Sequence, residues 1–116
     1  VLPDHEAALE LILAQAEDHL SGEGARLRAA GHRIVHGGPA CDCPLPVDAA
    51  LEERLARLVP LAPLHLPHNL AGITAVRARR PELLQVACFD TAFHHGLPRT
   101  ARLTGLPRQF YDRGIR

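Results

Sequence analysis

Apolar positions recur at helical spacing through the first part of the chain. Leu9, Ile12, Leu13, Ala16 and Leu20 share one face, which predicts an amphipathic helix over residues 5–20. Asp4 is its expected N-cap, and Glu6 sits in the first turn, where a carboxylate complements the helix dipole. Gly22 and Gly24 then stop it. Residues 32–36 read as a short strand halted by Gly37-Gly38-Pro39, and residues 39–46 as a loop. Asp48 caps a second predicted helix with the stripe Leu51, Leu55, Leu58 and Ala62, which Pro60 should end or kink. Residues 63–67 interrupt the pattern. Pro67 fits the first turn of a third helix that turns Leu70, Ile73 and Val76 inward. Arg77, Arg79 and Arg80 close that helix before Pro81. Residues 83–89 are nearly all apolar, the pattern of a strand buried on both faces, and Asp90 follows at once. The tail after Thr91 is broken by prolines and has little periodicity. Helix, strand, two helices and strand together predict an α/β layered fold with parallel strands.

Composition narrows the class. With 116 residues the chain has material for one domain with a modest core. Formal charge is zero, so nothing draws it generally toward nucleic acid or membranes. Phe89, Phe93, Phe110 and Tyr111 are the whole aromatic set, too few for base-stacking platforms. There is no apolar run of about 18 residues, and hence no membrane-spanning segment is expected. Every cation is an arginine. A lysine nucleophile, a Schiff base and a Walker-type lysine are therefore ruled out within these residues. An odd count of three cysteines without a signal-like start points to a reduced, cytoplasmic setting. Val1 and the final Gly-Ile-Arg look like cuts through a longer chain.

The candidate chemistry gathers around two strand ends. In Gly31-His32-Arg33-Ile34-Val35-His36-Gly37-Gly38, alternation puts Arg33, Val35 and Gly37 on one face and His32, Ile34 and His36 on the other. Arg33 either faces water or brings a fixed cation to a small anion beside an apolar wall. Asp90, at the carboxyl end of an apolar strand, either caps a turn or holds Mg²⁺ directly or through water. The eight histidines include His65, His68, His94 and His95, but no helical His-x-x-x-His pair. Adjacent histidines on an extended segment point apart, so single histidines offering hydrogen bonds are favoured over a metal site. Cys88 lies within the apolar strand, where a thiol is expected to be inert.

Three motifs in this order, GHRIVHGG (31–38), LAPLHLPHNLAGI (61–73) and CFDTAFHHGLP (88–98), resemble the acetate kinase family of acyl phosphate-forming kinases. The lead-in Asp4-His5-Glu6-Ala7-Ala8-Leu9 and the late Leu106-Pro107 also match. The resemblance implies an actin, Hsp70 and sugar kinase type of fold, ribonuclease H-like, with residues 1–116 a single partial domain from the inner part of the first of two. It implies reversible transfer of the γ-phosphoryl group of ATP to acetate, with ATP/ADP as co-substrate and Mg²⁺ as cofactor. It further implies a homodimer in the full-length protein, completed by the remainder of the kinase chain. Residue by residue, Arg33 matches the arginine that contacts the carboxylate and the phosphoryl group in flight. Asp90 matches the aspartate implicated in catalysis and in placing the magnesium or the attacking acid. Val35 and Leu64 match the alkyl pocket, and His65 a supporting histidine near the phosphoryl group. The two glycines then read as room for phosphate to approach the backbone. Leu66 replaces the Asn usual in the family, and His95-Gly96-Leu97-Pro98 replaces its Gln-Thr-Met-Pro.

Propionate or butyrate as the better acceptor remains open on this reading. So does a non-catalytic interaction module that keeps the fold. A small histidine metal protein is a third reading, and it predicts stoichiometric bound zinc or nickel.

Overall fold

In a computed structural model of the protein, residues 5–113 and 115 are described. Asp4, the expected cap of the first helix, lies outside the described residues, as does the side chain of Glu6. Helix α1 runs His5–Gly22, strand β1 Ala29–Ile34, strand β2 Leu45–Pro46, helix α2 Ala49–Arg57, helix α3 Leu66–Arg79 and strand β3 Leu84–Phe89. Short helices α4, Arg99–Arg102, and α5, Arg108–Asp112, follow.

The three strands form one mixed sheet in the order β1-β3-β2. Strand β1 pairs with β3 in parallel, from Ala29 opposite Leu84 to Ile34 opposite Phe89. The pairing stops there because the chain turns at Asp90 into a 3-10 turn, Asp90–His94, which leaves Val35 without a strand partner. The strand therefore lies at 29–34 rather than 32–36. Strand β2 falls inside the segment expected to be a loop, antiparallel to β3, with Leu45 opposite Ala87. The Val47 N–H extends this pairing onto the Gln85 carbonyl at 2.9 Å.

Alternation decides what the sheet buries. Ile34, Ala87 and Phe89 point to one face, and Leu51 and Leu55 of α2 with Leu66 and Ile73 of α3 pack over them. Burial of such side chains stabilises by roughly 1.5–3 kcal/mol each. Gln85 shares that buried face and bonds His32 at 2.7 Å, so neither polar group is left dry without a partner. The opposite face is open among the described residues, with Leu84 and Cys88 exposed. Strand β3 is thus half-buried, not buried on both faces, and Cys88 is not enclosed as expected. An apolar run of this length fits either arrangement, which is why the sequence misleads here.

The helices follow local chemistry. Asp48 caps α2 by accepting the Leu51 N–H at 2.7 Å, and the helix ends at Arg57 before Val59-Pro60-Leu61 forms a 3-10 turn. Helix α3 starts at Leu66, one residue before the proline expected at its first turn, and Ile73 and Val76 are buried. Arg79 bonds Glu10 at 2.6 Å, and Arg80 forks onto Glu17, fastening α1 to α3. Ile12 departs from the expected apolar stripe and is 60% exposed. Among the described residues, no helix is long and apolar enough to cross a membrane.

Candidate active site

The parallel register brings two distant residues together. Arg33 pairs with Cys88 across β1 and β3, and Asp90 follows two residues later on the same side. The Arg33 guanidinium forks onto the Asp90 carboxylate: Nε reaches Oδ1 at 2.9 Å and Oδ2 at 3.1 Å, and Nη2 reaches Oδ2 at 2.9 Å. This is the planar geometry that arginine offers and lysine cannot. The hydrogen bond from Arg33, and then its charge, hold the Asp90 carboxyl below the usual carboxylate range. Asp90 in turn raises the already high value of Arg33.

The Arg33 side chain is 85% exposed and that of Asp90 38%. A pair so open to water contributes little to stability. What it does is orient. Nε and one hydrogen of Nη2 are committed to Asp90, which leaves the Nη1 pair and the second Nη2 hydrogen directed elsewhere.

Arg33, Val35, Leu64, His65 and Asp90 all line one cavity of about 350 Å³. The five residues given roles by the resemblance are therefore brought to one place. His68 and Asn69 complete the lining. Neither was assigned a role there from the sequence. Asn69 did carry a signal: it lies on the inward stripe of α3, between Leu66 and Ile73, where a polar residue needs a partner. That partner is the Val35 N–H, donated to Asn69 Oδ1 at 3.1 Å. His65 and His68 lie three residues apart around the first turn of α3 and face the same cavity, which the interrupting Pro67 does not prevent. Leu66 turns the other way and is fully buried in the core.

The chain after β1 is held by side chains instead of a strand. Beyond Val35, the Gly37 N–H donates to Thr91 Oγ1 at 3.1 Å and the Gly38 N–H to His36 Nδ1 at 3.0 Å. Both glycines are buried. A Cβ on Gly37 would lie 2.6 Å from Cys41 Cβ and 2.7 Å from the Phe89 ring, and Gly38 has φ +67° over Leu58. Close packing of Phe89 and Cys41, and a left-handed turn, account for these glycines. At Gly37 the space a side chain would take is already filled by Cys41 and Phe89, a packing reason for glycine that the sequence reading did not include.

Val35 and Asp90 also border a second cavity of about 430 Å³, where Thr91, His94, His95 and Arg102 converge. His94 ends the 3-10 turn and His95 follows it, so the two histidines share a cavity wall instead of pointing apart. Among the described residues no group of three or more His, Cys, Asp or Glu converges on a metal position. Among the described residues lining the first cavity, Asp90 is the only carboxylate. Arg33 bonds both of its oxygens, so an ion held from this wall would reach it through water. Burial pushes the Cys41 thiol up, away from thiolate chemistry.

Comparison with known proteins identifies the family of the chain. Residues 1–116 match the model of the acetokinase family. The acetate kinase of Methylocella silvestris is 46% identical over 114 residues, covering 98% of this chain and 28% of that protein. The acetate kinase of Rhizobium meliloti is 50% identical over 97 residues, covering 84% and 25%. Among solved structures, a propionate kinase from Francisella tularensis superposes with a TM-score of 0.77 at 31% identity, covering 95% of this chain and 28% of that one. Porphyromonas gingivalis acetate kinase gives 0.76 at 31%, covering 97% and 29%. The chain spans about a quarter of the length of these relatives. The fold is thus part of the actin, Hsp70 and sugar kinase type of α/β domain that the motifs imply.

Proposed function

This chain belongs to the acetokinase family, and on that premise we propose that it forms the acceptor wall of an ATP-dependent short-chain carboxylate kinase, with acetate as the acceptor. Residues 1–116 are then the inner part of the first domain, inactive alone, with the nucleotide held mostly by the remainder of the chain. The observation that carries the reading is the Arg33–Asp90 fork standing beside Val35 and Leu64 in one cavity.

The residues suit in-line phosphoryl transfer. A carboxylate is already a nucleophile and needs no general base. The hydrogens of Arg33 that Asp90 leaves over face the acceptor carboxylate and the equatorial oxygens of the phosphoryl group, where charge spreads in a loose transition state. Asp90 holds the guanidinium plane so that this alignment exists before substrate arrives. Val35 and Leu64 take the alkyl end and keep water from it. His65, at the start of α3, donates a hydrogen bond near the phosphoryl group. When bound, Mg²⁺ neutralises phosphate charge, and Asp90 is the residue of this wall that would hold it, through water.

Acetate, propionate and butyrate differ by single methylenes, worth about 1–3 kcal/mol each in an apolar pocket. The protein works in the cytoplasm as a homodimer on the same reading, in keeping with its free Cys41, Cys43 and Cys88. The test is Arg33→Ala in the full-length protein, with acyl phosphate formation followed across the three acids. Turnover is expected to fall by a factor of about 100 or more, the scale of a lost preorganised donor. The melting temperature should hardly move, because the pair is exposed. Near-normal kinetics in the variant would remove Arg33 from the reaction. A wild-type protein inactive on every acid would leave the fold as an interaction module without turnover.

A further inference from the structure

We propose that Asn69 is a positioning residue that sets the width of the acyl pocket, and so the preference among short acids. This inference rests on the carboxylate kinase reading above. One wall of the cavity is the end of β1, with Arg33 and Val35, and the other is the entry to α3, with Leu64 and His65. No strand pairing continues past Ile34, because Asp90 has already left the sheet. The Val35 N–H instead crosses to Asn69 Oδ1 at 3.1 Å, a bond between residues 34 positions apart.

Asn69 is itself fixed. Its own N–H bonds the His65 carbonyl at 3.0 Å, within the first turns of α3. Leu66 and Ile73, three residues before and four after it, are fully buried and anchor the same helix face in the core. The Asn69 side chain is therefore a strut of fixed length between a rigid helix and the backbone that carries Val35. Val35 and Leu64 line the same cavity as that strut. Leu64 is 78% exposed and not braced by packing, so the spacing of the walls depends on the backbone on which each residue rides.

Removing the strut frees the Val35 backbone and lets the pocket widen. The smallest acid then loses more than the larger ones, because it depends most on close walls. Asn69→Asp keeps an acceptor oxygen of the same reach. Its added charge acts equally on acetate and propionate and so cancels in their ratio.

The experiment uses the full-length protein with Asn69→Ala and Asn69→Asp, and has two readouts. The first is amide hydrogen exchange at Val35, which needs no activity. Exchange should quicken about ten-fold in Asn69→Ala, the effect of one lost hydrogen bond, and stay near wild type in Asn69→Asp. The second is the ratio of kcat/KM for acetate to that for propionate. It should fall about five- to ten-fold in Asn69→Ala, within the range of one methylene's worth of selectivity, and recover in Asn69→Asp. A general loss of stability lowers both acids together and leaves the ratio unmoved, which would overturn the proposal. Unchanged Val35 exchange in Asn69→Ala would overturn it as well. A wild-type protein that phosphorylates no short acid refutes the kinase reading instead, and the exchange result still judges the strut.

Discussion

Replacing Gly37 by alanine separates two accounts of the double glycine. If the glycines make room for phosphate, Gly37→Ala disturbs catalysis and spares the fold. The structure predicts the opposite order of effects. The new methyl would meet Cys41 Cβ at 2.6 Å, Phe89 Cγ at 2.7 Å and Phe89 Cδ1 at 2.8 Å. Ordinary carbon contacts lie at about 3.5–4.0 Å, so roughly an ångström must be found in the core. Neither neighbour can retreat into solvent, since Phe89 is 6% and Cys41 2% exposed. Overpacking of this kind costs about 1–3 kcal/mol, and three overlaps put it at the upper end. The stiffer unfolded chain returns about 0.4–1 kcal/mol, which leaves a net loss near 2 kcal/mol. Gly72→Ala is the matched control, for a Cβ there meets nothing within 4 Å in the middle of α3. It should stabilise by about 0.5–1 kcal/mol. Urea unfolding of the full-length protein, compared by midpoint at constant slope, measures both. A Gly37→Ala protein within about 0.5 kcal/mol of wild type, the range of an inert surface change, would refute the packing argument.

The Asp90 carboxyl is held low by Arg33, so its stabilising contribution is complete above the unfolded value of about 3.9 and disappears as pH falls through the lower native value. An NMR titration should place the Asp90 midpoint below that of a free aspartate and return it upward in Arg33→Ala; identical midpoints would break the link. Asp48→Ala removes the bond to the Leu51 N–H and should destabilise by about 1 kcal/mol, with Asp48→Asn close to wild type. Equal stability of all three proteins in urea would show that the cap contributes nothing.

Features written in local chemistry were readable in the chain. The Asp48 cap, the break at Pro60, the arginine-rich end of α3 and the alternation that sorted Arg33 from Ile34 each depend on a few neighbouring residues. Arg33, Val35, Leu64, His65 and Asp90 come from three motifs, and the resemblance carried by those motifs implied that they lie together, as they do in one cavity. Long-range partners were not readable. Strand β2 is two residues long, one of them a proline, and exists only because β3 offers it an edge. The end of β1 is set 55 residues away, where Asp90 leaves the sheet opposite the residue after Ile34. Asn69 stood out as a polar residue on an inward helix face, but its partner, the Val35 N–H 34 positions away, could not be read from the chain.

The fork between Arg33 and Asp90 joins residues 57 positions apart. Parallel pairing of β1 with β3 has to close that span before the fork can form, and β2, α2 and α3 all lie inside it. Contacts so distant in sequence belong to the late, slow part of folding. A chain with its helices formed but its strands unpaired therefore carries no trace of the site. On the acceptor-wall reading, the onset of acceptor binding during refolding accordingly times the closure of the central sheet, and a long insertion between α3 and β3, where no residue of the cavity lies, would delay it.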